Sequence, residues 1–188
     1  MRLIKIENSE SFEDFDKVWE IYEYSFPDNE RRSLEAQKNV IADNEDYGFY
    51  AVYDGDELIG MIAYWRFDEF IFLEHVAIKK EFRSKGFGTE LLKDLIKDNN
   101  GKRIVIEVEK PDTEIDIKRI KFWESLGFVV NGYNYIQPSY GVGKEVVSLI
   151  IMTFPGEINN GEFVRIRDKI HLDAYGLEEP LTKISLVD

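Results

Sequence analysis

Leu73-Glu74-His75-Val76-Ala77-Ile78-Lys79-Lys80-Glu81-Phe82-Arg83-Ser84-Lys85-Gly86-Phe87-Gly88-Thr89-Glu90-Leu91-Leu92 reads, in order, as the end of a strand, a basic loop, a pair of glycines and the first turns of a helix. A helix start exposes N–H groups that lack intrahelical acceptors and carries the positive end of the dipole. A glycine there lets a phosphate reach the backbone where a Cβ would otherwise stand. Lys79, Lys80, Arg83 and Lys85 are clustered in a chain whose net charge is -13. The local charge opposes the global one, which favours a bound anion. By themselves the glycines read equally well as a tight turn that permits close packing. Two nucleotide motifs fail on spacing: a dinucleotide fingerprint needs a third glycine where Leu91 stands, and for a P-loop ending at Gly143-Lys144, Pro138 and Glu145 occupy the required glycine and hydroxyl positions.

Towards the amino terminus, the strand Phe70 to Lys79 is preceded by Tyr47 to Tyr53 and Leu58 to Phe67, two β-rich runs around the hairpin signal Asp54-Gly55-Asp56. Arg2 to Glu7 reads as a first strand. Ser11 offers an N-cap to a helix in which Phe12, Phe15, Trp19, Tyr22 and Phe26 fall at helical spacing up to Pro27. Glu30 to Ala42 is a weaker, charge-rich helical segment, most simply a cover for a sheet edge. Towards the carboxyl terminus, Leu91, Leu92, Leu95 and Ile96 form one apolar stripe, stopped by Asn99-Asn100-Gly101. Arg103 to Val108 is a short β-branched strand, and Glu114 to Leu126 a helix closed by Gly127. Phe128 to Gln137 and Glu145 to Phe154 are strands joined by a loop holding Pro138, Gly141 and Gly143. Gly161 to Tyr175 places Phe163, Ile166, Ile170 and Ala174 on one helical face.

This order predicts an α/β fold: a mixed central sheet of about seven strands with helices on both faces, plus a C-terminal helix. Residues 1–154 are expected to form the core and 155–188 a helical extension packed on the same domain. A chain of 188 residues with 44% apolar content can build one sizeable core. The excess of 37 acidic over 24 basic residues argues against nucleic acid or an anionic membrane as partner. With no cysteine, disulfides, thiolate metal sites and a cysteine nucleophile are excluded, and two histidines make a metal site unexpected. No run approaches the ~18 apolar residues of a membrane span, and Met1 to Ile6 does not read as a secretory signal. The expected setting is soluble and cytoplasmic.

Arg83-Ser84-Lys85-Gly86-Phe87-Gly88, between a strand and a helix, resembles the signature of the Gcn5-related N-acetyltransferase (GNAT) family: Arg or Gln, two residues, Gly, one residue, Gly or Ala. A second family element, an aromatic pair followed by Gly-Phe, is matched by Phe122-Trp123-Glu124-Ser125-Leu126-Gly127-Phe128. The resemblance covers about Met1 to Phe154. It implies acetyl-coenzyme A as co-substrate, with the pyrophosphate on backbone N–H groups of Arg83, Ser84, Lys85, Gly86, Phe87, Gly88 and Thr89. The pantetheine arm would pair along Val76, Ala77 and Ile78, where two parallel strands, here Phe70 to Lys79 and Arg103 to Val108, splay apart. The implied activity is acetyl transfer to a primary amine of a small molecule or peptide by direct attack, without metal. The rival expectation is a non-catalytic acyl-coenzyme A binding or regulatory module on the same fold.

An amine attacks a thioester only as the free base, and an alkylammonium with a pKa near ~10 is mostly protonated at neutral pH. The resemblance nominates Glu74 as general base, against the alternative of a salt-bridged strand glutamate. His75 is the runner-up, but strand alternation sends neighbouring side chains to opposite faces. Many relatives carry a tyrosine as acid where this chain has Trp123, whose indole cannot serve as one. Tyr133 is therefore the candidate acid, with Tyr135 and Tyr140 as substitutes, and each also reads as an ordinary aromatic. The family's common asparagine is Asp116 here. Glu107, Glu109, Asp112, Glu114 and Asp116 form either an acidic rim suited to a cationic acceptor or a plain solvated surface. The apolar stripe of the last helix covers its own sheet or builds a homodimer.

Overall fold

The computed structural model describes residues 1–7, 12–99 and 101–182, so the Ser11 cap and Asn100 lie outside the described residues. The chain divides into two compact units, Met1–Lys102 and Arg103–Asp188. Among the described residues there are seven strands and five α-helices, a mixed α/β fold whose elements follow the order expected from the sequence.

In the first unit, β1 (Arg2–Lys5), β2 (Tyr47–Asp54), β3 (Glu57–Arg66) and β4 (Phe70–Ile78) form an antiparallel meander. Gly55, at φ +58°, makes the hairpin turn between β2 and β3. Gly60 is required by close approach, since a Cβ there would stand 2.3 Å from the Ala77 carbonyl oxygen on β4. The helix α1 (Phe12–Ser25) lays Phe15, Val18 and Tyr22 on the sheet, with the Phe15 and Tyr22 rings against Phe49. The helix α2 (Leu34–Asp43) begins later than its charge pattern suggests. After Pro27 the chain makes a 3-10 turn at Asp28–Glu30, and Ser33 then caps α2 by accepting the Ala36 N–H. The helix α3 (Phe87–Asp98) buries Leu91, Leu92 and Leu95, the stripe read from the sequence.

In the second unit, β7 (Val147–Phe154) pairs antiparallel with both β5 (Arg103–Glu109) and β6 (Val129–Gln137). The helix α4 (Glu114–Ser125) starts at a capping box in which Thr113 and Asp116 satisfy each other's backbone N–H groups, and α5 (Asn160–Lys169) starts at another made by Asn159 and Glu162. The last predicted helix is two pieces, since α5 passes at Ile170 into a π turn ending at Ala174. The described part of the 155–188 extension lies in the same unit as β5, β6 and β7.

His171, inside the π turn, is fully buried. Its Nδ1 accepts the Leu181 N–H at 3.1 Å, so the neutral ring holds its proton on Nε2. Burial, reinforced by the charge of Arg167, lowers its pKa to about 4 from the ordinary 6.5. A group depressed in this way contributes stability that is fully present above pH 6.5 and is lost as pH falls through 4. Unfolding free energy is therefore expected to drop by about 2 kcal/mol between pH 7 and pH 5 from this group. Urea melts across that window test it: His171→Gln should flatten the slope, and an unchanged slope would remove His171 as its source.

Candidate active site

The glycine loop is built from the end of β4 forward. Beyond Ile78 the chain makes a 3-10 turn at Lys80–Phe82, and Ser84 takes φ +62°, rare for a residue with a Cβ. Gly86, at φ +88°, then sets the start of α3. Backbone strain of this kind gathers at ligand clamps. Gly86 is the residue before the helix and has no side chain to cap it. The first intrahelical bond runs from the Glu90 N–H to the Gly86 carbonyl at 3.0 Å. The amides of Phe87, Gly88 and Thr89 precede that bond and have no acceptor within the helix. Residues 83–86 are exposed, and Lys85 lies over the Phe82 ring at 5.0 Å.

Gly88 is the informative residue. A Cβ there would meet only Ile78 Cγ1, at an ordinary 3.7 Å, and its backbone is not left-handed. The protein's own packing does not ask for glycine, although glycine in a helix costs about 1 kcal/mol relative to alanine. Close packing, the plain reading of the glycine pair, does not account for it.

Arg83 departs from the expected role in the loop. Its amide donates to the Lys80 carbonyl at 3.3 Å and its Nε to the Ile78 carbonyl at 2.9 Å, so both groups fold the loop back onto β4. Of the amides expected to form the cradle, that of Arg83 is thereby engaged within the loop. Val76, Ala77 and Ile78 pair with Ile62, Met61 and Gly60 of β3 along one edge of β4.

Upstream, the ladder slips by one residue. Ala63 pairs with His75 and Tyr64 with Leu73, which leaves Glu74 as the extra residue of a bulge. The bulge overturns the expectation of opposite faces: the Glu74 and His75 side chains are both buried and approach to 3.7 Å. Arg32, from the stretch before α2, places Nη1 2.8 Å from each Glu74 carboxylate oxygen. His75 Nε2 bonds the Glu30 carbonyl at 2.9 Å, and its ring meets the Tyr22 and Phe26 rings edge-on. The Arg32 amide donates to the Tyr22 hydroxyl, and its guanidinium lies over the Tyr47 and Trp65 rings. Residues 30–32 are thereby latched to the bulge.

The latch sets the charge state of Glu74, the residue nominated as a base. Burial alone would raise its carboxyl, but the Arg32 charge and the His75 contact outweigh burial and hold it at about 2. Such a carboxylate takes a proton poorly at neutral pH. Its side chain has 0% exposure while the residue as a whole is half-buried, so the bulge presents backbone to the surface. These contacts are the ones a salt-bridged strand glutamate makes.

In the second unit, Tyr133 donates its hydroxyl to the Ile158 carbonyl at 2.9 Å and stacks on Phe163 at 4.4 Å. That hydroxyl ties the extension to β6. Trp123 is a core residue packed against Phe128, and Asp116 is occupied by the α4 capping box. Tyr135 and Tyr140 instead gather near Glu107. Tyr135 donates to Glu107 Oε1, and Tyr175 of the extension donates to Oε2 at 2.7 Å. Tyr140 lies 3.2 Å from the Tyr175 hydroxyl. Arg32 and Tyr175 were not singled out from sequence. Their partners are 42 and 68 residues away, and no local pattern marks them. Among the described residues no group of acidic residues and histidines is placed to hold a metal ion, and no helix is long and apolar enough to cross a membrane.

A strand that runs into a glycine-opened helix start is the arrangement the family resemblance leads one to expect, and comparison with known proteins agrees on the family. The model of the acetyltransferase (GNAT) family matches residues 12–128, and the chain belongs to that family. A solved structure described as a putative acetyltransferase from the GNAT family of Bacteroides thetaiotaomicron superposes with a TM-score of 0.88 at 30% identity, covering 95% of this chain and 100% of that one. "Putative acetyltransferase YjbC" of Bacillus subtilis (strain 168) is 32% identical over 102 residues, 53% of this chain and 50% of that protein, so the match spans about half of this relative's length. A Bacillus subtilis acetyltransferase solved in complex with coenzyme A shares the fold at 17% identity and a TM-score of 0.53, covering 81% of this chain and 96% of that one.

Proposed function

We propose that the protein is an N-acetyltransferase that takes the acetyl group of acetyl-coenzyme A and passes it to a primary amine of a small molecule or peptide. The observation that carries this reading is Gly88, whose missing Cβ serves no packing need beside three amides without helical acceptors. A diphosphate suits that place because the helix dipole, the amides and Lys80 and Lys85 all favour negative charge there. In the transfer the amine nitrogen forms a bond to the thioester carbonyl carbon, the carbon–sulfur bond breaks, the nitrogen loses a proton and the thiolate leaves. The chain's contribution is orientation: the loop fixes the donor, and the Arg32–Glu74 latch holds the bulge rigid.

A second reading, a non-catalytic acyl-coenzyme A binding module, is favoured by one set of observations. Trp123 is core, Tyr133 is tied to a carbonyl and Glu74 is an ion-paired anion, so none of the usual acid–base positions is free for chemistry. Melting with coenzyme A and thiol release with a panel of amines separate the readings. At a hundredfold excess over Kd, coenzyme A is expected to add about 2.7 kcal/mol of stability. Amine-dependent thiol release supports the enzyme, binding without release supports the module, and unchanged melting contradicts both.

A further inference from the structure

We infer that the cavity beside β6, between residues 130–133 and 157–158, binds a small organic cation, with Glu157 as the charge that holds it and Gly132 as the opening that admits it. This goes beyond the transferase reading and does not rest on it.

Within the second unit β7 has β5 on one side and β6 on the other, so β6 is an outer strand. Its ladder pairs Asn131 with Ile151 and resumes at Tyr135 with Leu149, and the surplus on β6 is a bulge at residues 132–134. Gly132 lies in it. Bulges that demand glycine do so through a left-handed φ, which Gly132 lacks. Packing does not demand it either, since a Cβ there would meet nothing within 4 Å. Glycine weakens a strand interior, and it also marks places where a ligand approaches the backbone closely.

The open space is a cavity of about 290 Å³ lined by Val130, Asn131, Gly132, Tyr133, Glu157 and Ile158. That is close to the roughly 300 Å³ at which small-molecule sites begin. Its walls are fixed by hydrogen bonds. The Ile158 N–H donates to Asn131 Oδ1 at 3.0 Å, and the Ile158 carbonyl accepts the Tyr133 hydroxyl at 2.9 Å. Asn131 Nδ2 donates to Thr153 Oγ1 at 2.9 Å, and Thr153 Oγ1 donates to the Gly156 carbonyl at 2.7 Å. A site whose walls are held in this way loses little freedom when a ligand enters.

The lining selects the occupant. The polar atoms of Asn131 and Tyr133 are committed to the walls, which leaves Glu157 to recognise a ligand. Glu157 is exposed, and among the described residues its carboxylate pairs with no cation. Arg103, the cation tied to this segment, donates to the Pro155 and Gly156 carbonyls and pairs with Glu162. Val130, 40% exposed, gives the lining an apolar side chain. A carboxylate with an apolar neighbour fits a cation carried on a short alkyl stem. A guanidinium meets a carboxylate through two parallel hydrogen bonds, whereas an ammonium acts as a point charge. The ligand class is a short-chain alkylguanidinium.

The test is a backbone amide NMR titration with 1-butylguanidinium and with its neutral isostere 1-butylurea. The cation should shift the Gly132, Tyr133, Glu157 and Ile158 resonances saturably, and the urea should not. Glu157→Gln should weaken binding at least threefold. Gly132→Val places a side chain in the open space, so it should abolish binding. It should also melt at or above the wild-type temperature, because a β-branched residue suits a strand better than glycine. Equal response to the two probes, or wild-type affinity in either variant, overturns the inference. If Gly132→Val fails to fold, the exposed change Glu157→Gln decides alone. No coenzyme A is present in the titration, so a negative result leaves the transferase reading standing.

Discussion

Replacing Arg32 with alanine is expected to lower the unfolding free energy by about 3–5 kcal/mol, the usual cost of removing one partner from a buried ion pair. The Glu74 side chain has no exposure to solvent and holds its charge because Arg32 sits 2.8 Å from both oxygens. Without that cation the carboxylate must be buried charged or take up a proton, and the carboxyl should rise from about 2 towards the range burial alone dictates. In the wild type this pair contributes stability that is present above pH 4.5 and lost as pH falls through 2. The melting temperature of Arg32→Ala should fall by roughly 10 °C. The double change Arg32→Met with Glu74→Leu should recover most of the loss, since an apolar pair of similar volume is often as stable as a buried ion pair. Additive losses in the double variant would show that the pair is not coupled.

Gly88→Ala is expected to move stability and ligand affinity in opposite directions. The new Cβ stands 3.7 Å from Ile78 Cγ1, a normal contact, so the folded state accepts it. Alanine is favoured over glycine in a helix by about 1 kcal/mol, which should raise the melting temperature by a few degrees. On the proposed binding mode the same methyl group stands where a phosphate would approach the Phe87, Gly88 and Thr89 amides. Coenzyme A affinity should fall at least tenfold. Calorimetric titration and a melt of the same preparation give both numbers, and a variant that binds coenzyme A as tightly as the wild type would leave Gly88 unexplained.

Much of the fold was legible because its signals are local. The helical spacing of Leu91, Leu92 and Leu95, the Asp54-Gly55-Asp56 turn and Gly127 after α4 each lie within one element, and each formed as expected. The site was legible where it is local too: the glycine pair sits between a strand and a helix because that succession is written in order along the chain. What escaped depends on pairing across distance. The β4 bulge exists only in register with β3, so alternation along β4 alone put Glu74 and His75 on opposite faces. The charge-rich stretch before α2 gave no sign that Arg32 would meet Glu74, 42 residues away. Tyr133, Tyr135 and Tyr140 look alike in sequence. They separate only in the structure, where one hydroxyl meets a carbonyl, one meets Glu107 and one meets Tyr175.

On the proposed function, the start of α3 receives a diphosphate. Backbone amide NMR during a coenzyme A titration addresses it residue by residue. The Phe87, Gly88 and Thr89 resonances should show the largest shifts, saturating at one equivalent, with Arg83 moving less because its amide already donates to Lys80. Saturable shifts confined to other parts of the chain, with those three amides unmoved, would contradict the account.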